Sequence, residues 1–248
     1  MSLINQYHAI EKELLAGRNR VKAVSSQRYF KTGKGQYAEG DIFLGLTVPE
    51  VRTVVEKYRD KVTLADVAKL LSSKYHELRL AALHLLVVMY EQSKDAKVHK
   101  AIFLLYTKNT PYINNWDLVD TSAAQIVGAY ISNHMEHEER LAFIDRYCRS
   151  SDLWKNRIIV LATFYQIKKD NEKMLFYVAR ALMAHPHDLI HKAIGWMLRE
   201  VGKRDQKTLS SFLEEYSGVM PRTMLRYALE HYGAKEKSYY MKKKQLLS

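Results

Sequence analysis

Helix breakers are almost missing from this chain, and where they occur they sit at boundaries. Four prolines and ten glycines stand among 248 residues. Three of the prolines, Pro111, Pro186 and Pro221, fall just before or at the start of a long apolar segment. Proline is tolerated in a first turn and disruptive inside a helix. Apolar residues recur at three and four, the helical period, and seldom alternate. The chain therefore reads as almost wholly helical. Five apolar segments each open with a polar residue: Arg79 before LAALHLLVV, Asp120 before TSAAQIV, Arg157 before IIVLATF, Lys192 before AIGWML and Arg222 before TMLRYAL. Each is preceded by another expected helix, at Leu64–Ser72, Ala96–Thr107, Glu136–Cys148, Asn171–Ala184 and Gln206–Tyr216. The pairs recur at roughly 33–40 residues, the range of stacked helical repeats. Stacked pairs form a curved solenoid whose inner helices line one concave wall, and the five marked residues would run along it. A plain helical bundle is the competing fold.

The totals narrow the partner. Lys plus Arg is 39 and Asp plus Glu is 27, giving a net charge of +12. Such a charge favours a polyanion: nucleic acid first, an acidic membrane surface second. A merely basic soluble surface is the bland alternative. Cys148 is the single cysteine, so no disulfide within the chain and no thiolate metal cluster can form. A reducing, intracellular, cytoplasmic setting fits best. The start, MSLINQYHAIEKELL, is unlike a signal peptide. The longest apolar run, Leu80 to Tyr90, is shorter than the ~20 residues a bilayer requires. Length and apolar content suit one helical-repeat domain over 1–248, with a basic tail from 235.

Residues 31–46, KTGKGQYAEGDIFLGL, form the clear break in the helical pattern, with Gly33, Gly35, Gly40 and Gly45 marking a loop. No GK[ST] closes it, so it is not a P-loop. Thr47-Val-Pro-Glu50 then reads as a capping box with proline in the first turn. A helix N-terminus beside Lys31, Lys34 and Arg52 can anchor a phosphate, or can simply begin a helix.

Asp120 is the carboxylate among four cations in the marked row. A carboxylate weakens contact with a polyanion, so its place there points to chemistry. Trp116 lies four residues earlier and shares its helical face, at the edge of a stripe formed by Val119, Ala123, Ile126, Val127 and Tyr130. Asp117, in the first turn, is explained by the helix dipole; Asp120 is not. An ion pair with Arg157 or Lys192 is its structural alternative, compatible with catalysis until a ligand arrives. Trp154 and Arg157 share a face of a helix that is apolar almost all round, and the arginine there needs a phosphate or carboxylate partner. Further along, Ile190, Ile194, Met197 and Val201 form one face of a helix, with Lys192, Trp196, Arg199 and Lys203 opposite. A tryptophan in a basic stripe suits a sugar or a cationic base; covering a neighbouring repeat is the alternative. His185, His187 and His191 lack a fourth ligand at matching spacing, and His187 reads better as a helix-start residue. Cys148 has no catalytic partner in sequence.

These segments, NNWDLVD (114–120), LWKNR (153–157), HDLIHKAIGWMLREVGKRD (187–205) and MPRTMLRYALE (220–230), together with RYFKTGKGQYAEGDIFLG (28–45), resemble the AlkD-type DNA alkylation repair glycosylases over nearly the whole chain. The resemblance implies an all-α, right-handed α-solenoid of HEAT-like repeats holding duplex DNA against a concave basic face. It implies excision of positively charged N3- and N7-alkylated purines without base flipping, and without metal or other cofactor. By match, Asp120 would be the catalytic carboxylate and Trp116 and Trp196 aromatic walls beside the lesion's deoxyribose. Arg157 would be a phosphate contact, and Tyr29 falls where the family has an aromatic near the lesion. Arg52, Arg79, Arg199, Lys203, Lys192, Arg222, Trp154 and Thr47 complete the expected DNA-binding set. Some members carry two adjacent tryptophans where this chain has Asn115-Trp116. The expected partner is alkylated duplex DNA, with no membrane and no obligate protein partner, the chain acting as a monomer. The competing readings are a non-catalytic nucleic-acid-binding module and a protein scaffold.

Overall fold

In the computed structural model, which describes residues 6–243, all regular elements are helices. An isolated bridge joins Ile42 to Tyr75. No helix among the described residues is long and apolar enough to cross a membrane. Residues 244–248, the last part of the lysine-rich tail, lie outside the described residues. The chain divides into two compact units, one ending at Ile126 and the other beginning at Val127.

The first unit contains α1 (Gln6–Ala16), α2 (Arg20–Tyr29), α3 (Val48–Tyr58), α4 (Leu64–Leu71), α5 (His76–Gln92), α6 (Ala96–Lys108) and α7 (Trp116–Asp120). Helices α3 and α4 both pack on α5, and α1 packs on α3 and α4. Every residue of α5 from His76 to Leu86 is buried. The expected loop joins α2 to α3. At Gly45 the backbone turns to φ 86°, and a Cβ would lie 2.3 Å from the Asn19 carbonyl oxygen, so the loop can approach α2 there only with glycine. The loop end is then clamped by one buried carboxylate. Leu44, Gly45 and Leu46 amides donate to Glu77 at 2.8, 2.8 and 3.2 Å. Three donors satisfy a group whose burial would otherwise be costly.

The second unit contains α8 (Ala129–Asn133), α9 (His137–Cys148), α10 (Leu153–Ala162), α11 (Phe164–Ile167), α12 (Lys173–Ala181), α13 (Asp188–Arg204), α14 (Gln206–Tyr216), α15 (Arg222–Ala228) and α16 (Ala234–Lys242). Its repeat is visible in how glycine is used. A Cβ on Gly128 would meet the Ala162 carbonyl oxygen at 2.3 Å and Tyr165 Cβ at 2.9 Å. A Cβ on Gly195 would meet the Met224 carbonyl oxygen at 2.5 Å and Tyr227 Cβ at 2.6 Å. In both places a glycine faces a backbone carbonyl and the tyrosine three residues beyond it in sequence. Gly195→Ala should raise intrinsic helix propensity by ~1 kcal/mol, yet the overpacking it forces between α13 and α15 costs about 1–3 kcal/mol. Net destabilisation in urea unfolding is expected; a gain would show that this approach is not tight.

Sequence periodicity predicts one continuous helix through Trp116, Asp120 and Tyr130. The apolar stripe is buried as expected, but the helix is not continuous. Helix α7 ends at Asp120, and a wider π-helical turn (Ala124–Gly128) leads into α8. Ser122 Oγ donates back to the Leu118 carbonyl at 2.6 Å and receives the Tyr106 hydroxyl at 3.0 Å. Such serine back-bonding competes with the main-chain ladder and bends it.

Candidate active site

Helix α7 has five residues, too few to hold its shape alone, because helix nucleation is costly. Neighbouring polar groups supply what length does not. The Asn115 side chain caps it, accepting the Trp116 amide at 2.8 Å. Asp117 accepts the Leu118 amide at 2.9 Å and binds His76 Nε2 at 2.8 Å. His76 Nδ1 binds Asp41 at 2.9 Å. Asp41 also accepts from Arg79 Nη2 at 2.6 Å, and the same nitrogen donates to Asn114 Oδ1 at 3.2 Å. Arg79 Nη1 donates to the Ser73 carbonyl at 3.0 Å. The chain of groups thus runs Arg79–Asp41–His76–Asp117 and joins the glycine loop, α5 and α7.

Both ring nitrogens of His76 face carboxylate oxygens. Ionised carboxylates only accept, so both nitrogens must donate and the ring is an imidazolium. Burial disfavours that charge, but the Asp117 and Asp41 carboxylates outweigh it and raise the His76 pKa to about 9. Burial likewise opposes ionisation of Asp41, yet His76 and Arg79 hold its pKa below the usual carboxylate value.

A row of rings lies against this network. His76 stacks on Phe43 at 4.2 Å between centroids, and Phe43 on Phe30 at 4.9 Å. Phe30 stacks on Trp116 at 5.2 Å and 21°. Tyr29, 65% exposed, meets the same indole edge-on at 6.0 Å. Trp116 and Asp120 are both half-buried, one helical turn apart on α7. Tyr29, Trp116 and Asp120 therefore belong to one partly exposed surface built on a rigid base.

In the second unit, α13 follows its sequence reading in packing. Ile190, Ile194, Met197 and Val201 are buried, and Trp196 is half-buried, its indole N–H donating to Glu200 Oε1 at 3.2 Å. Phe164 lies 6.4 Å from the Trp196 ring. The basic stripe carries its own acids. Lys192 pairs with Asp188 at 2.7 Å, Lys203 with Glu200 at 2.8 Å, and Arg199 with Glu230. Arg157 is buried and donates to the Leu189 carbonyl at 2.7 Å, and Trp154 is only 8% exposed. The three histidines serve the α13 start: His187 Nδ1 accepts the Leu189 amide at 3.1 Å, His185 accepts the His187 amide at 3.0 Å, and His191 bonds the His185 carbonyl.

The family model for DNA alkylation repair enzymes matches residues 10–232. The chain belongs to that family. A solved structure described as "Predicted DNA alkylation repair enzyme from Enterococcus faecalis" shares the fold, with a TM-score of 0.67 at 16% identity over 88% of this chain and 97% of that chain. No curated protein matches it. Membership supports a role in DNA repair and explains the strong positive charge.

For a DNA alkylation repair enzyme, several cations singled out in the sequence have other work. Arg79 does not lie on an open wall; its side chain is 5% exposed and is spent on Asp41, Asn114 and Ser73. An apolar helix buried on all sides gives an arginine no exposed face, so internal acceptors claim it. Thr47 is also committed: its amide and hydroxyl both donate to Glu50 at 2.6 Å. A carboxylate therefore already occupies the α3 start where a phosphate was expected. Trp154 is buried, with little surface for a ligand. Arg222 donates to the Met241 carbonyl. Arg52 is exposed. The Asp41–His76 pair was missed altogether; 35 residues separate the two in sequence.

Proposed function

We propose that this DNA alkylation repair family member is a monofunctional DNA glycosylase acting on positively charged N3- or N7-alkylated purines in duplex DNA, without base flipping. One observation carries the reading. Asp117 is tied to His76, and Trp116 and Asp120 stand half-buried one helical turn apart on the same tethered helix. A carboxylate and an indole one helical turn apart suit a sugar whose positive charge grows. Asp120 stabilises oxocarbenium character at C1′ as the C1′–N bond breaks. The bond's electron pair passes to the purine, which leaves neutral, so no strong general acid is needed. Water adds at C1′, and its proton goes to Asp120 or to solvent. Trp196, in the second unit, is a further aromatic contact to the DNA, and Tyr29 borders the lesion. Arg157, Lys192, Arg199, Lys203, Arg52 and Arg222 belong to the backbone contacts, each bound to displace an internal partner where it has one.

Incubation with methylated duplex DNA tests this directly. Free 7-methylguanine and 3-methyladenine, with matching abasic sites, are expected. Salt-sensitive binding with no freed base would instead identify a binding module.

A further inference from the structure

Asp117 is tethered to His76 and to the Leu118 amide, and it sits three positions from Asp120. In a helix, side chains three apart share a face. Fixing Asp117 therefore fixes the rotation of the turn that presents Asp120. Its outer anchor is His76, itself fixed by Asp41. The same imidazole leans on Phe43 and Phe30, and Phe30 carries the Trp116 indole. One ring thus touches both supports of the proposed site, the carboxylate anchor and the aromatic base, without touching substrate.

We infer that His76 is a positioning residue of the reaction: bridging Asp41 and Asp117, it sets the angle of α7 and hence the placement of Asp120 and Trp116 against the sugar. The inference rests on the glycosylase reading of Asp120. Only the doubly protonated ring can donate to both carboxylates. Loss of one proton breaks one bond and leaves two acceptors facing each other. The charged groups around His76 are Asp41 from the loop and Asp117 from α7. Arg79 lies behind Asp41, and Phe30 and Phe43 add no charge. His84, further along α5, feels Asp117 but is itself kept neutral near pH 7, since burial and Arg52 lower its pKa to about 4.

His76→Gln can donate from its nitrogen end only and turns an acceptor oxygen toward the other carboxylate, and Asp117→Asn keeps the shape but removes the charge. Both should slow single-turnover base release by tenfold or more, with affinity for an abasic duplex within about twofold of the parent. The alkaline limit of activity should fall by at least one pH unit in Asp117→Asn. A second readout needs no activity. With Trp154→Phe and Trp196→Phe, Trp116 is the single indole, and either variant should change its emission maximum and its quenching by acrylamide. In nitrogen-15 spectra of histidine-labelled protein, His76 should remain doubly protonated at pH 8. Parental rates with an unchanged pH limit would overturn the inference, as would parallel loss of rate, binding and melting temperature. If the parent frees no base at all, the glycosylase reading fails. The Trp116 and His76 spectra then still decide whether His76 holds α7.

Discussion

Asp120→Asn is expected to lower the single-turnover rate of 7-methylguanine release by at least two to three orders of magnitude, the range lost when one preorganised electrostatic group is removed. The substitution is nearly isosteric. It keeps a polar side chain at the half-buried end of α7 and removes the charge. Ground-state binding needs no carboxylate, and a negative group near phosphates opposes it. Affinity for the methylated duplex should therefore hold or tighten while the chemical step fails, the pattern of an interaction made only in the transition state. Asp117→Asn is the contrasting control, because Asp117 contacts His76 and the Leu118 amide. Its smaller loss should come with altered Trp116 fluorescence. Parental release of the base by Asp120→Asn would refute the proposed chemistry, since no other effect of that change could restore the missing charge.

Helix positions were readable from sequence where burial is one-sided. Helix α13 is the clear case: a buried face and a half-exposed face alternate at helical spacing, and the sequence shows both. Helices α5 and α10 are different. They are buried almost all round, so the polar residue opening each run has no outer face to occupy. Arg79 and Arg157 turn inward for that reason; the all-round apolar pattern after Arg157 showed it in the sequence, whereas the sequence alone places Arg79 on a concave wall. The pair at Trp116 and Asp120 was legible because four-residue spacing is a local property. The network beneath it was not, because Asp41 and Asp117 stand 35 and 41 residues from His76. Nothing in a single sequence links residues that far apart. The bend after Asp120 was hidden for another reason: the stripe that crosses it is buried whether or not the helix is continuous. Ser122, a residue able to bond its own backbone, was the only local sign.

Asp41→Ala should be the most damaging single change to the first unit. Its side chain is fully buried, and it faces two cations, Arg79 and His76, that are themselves 5% and 2% exposed. Breaking a buried ion pair by removing one partner typically costs about 3–5 kcal/mol, because the remaining charge stays buried. Arg79 keeps Asn114 and the Ser73 carbonyl, neither of which carries charge. The same network makes stability depend on pH at both ends. His76 is raised from 6.5 to about 9, so its contribution is complete below pH 6.5 and is lost as pH rises through 9. At about 1.4 kcal/mol per unit, that is on the order of 3 kcal/mol. Asp41 is shifted the other way, below its ordinary 3.8. Its contribution is present above 3.8 and disappears as pH falls through its lowered value. Urea unfolding followed by Trp116 emission, with the other two tryptophans replaced by phenylalanine, reads this unit alone. The parent should be steady between about pH 4 and 6.5 and weaken toward 9.5. Asp41→Ala should be far weaker at pH 6 and show a smaller alkaline loss, since one of the two carboxylates that raise the His76 pKa is gone. A parent curve flat from 6.5 to 9.5 would mean that His76 is neutral, and that the bridge between the loop and α7 is held by shape alone.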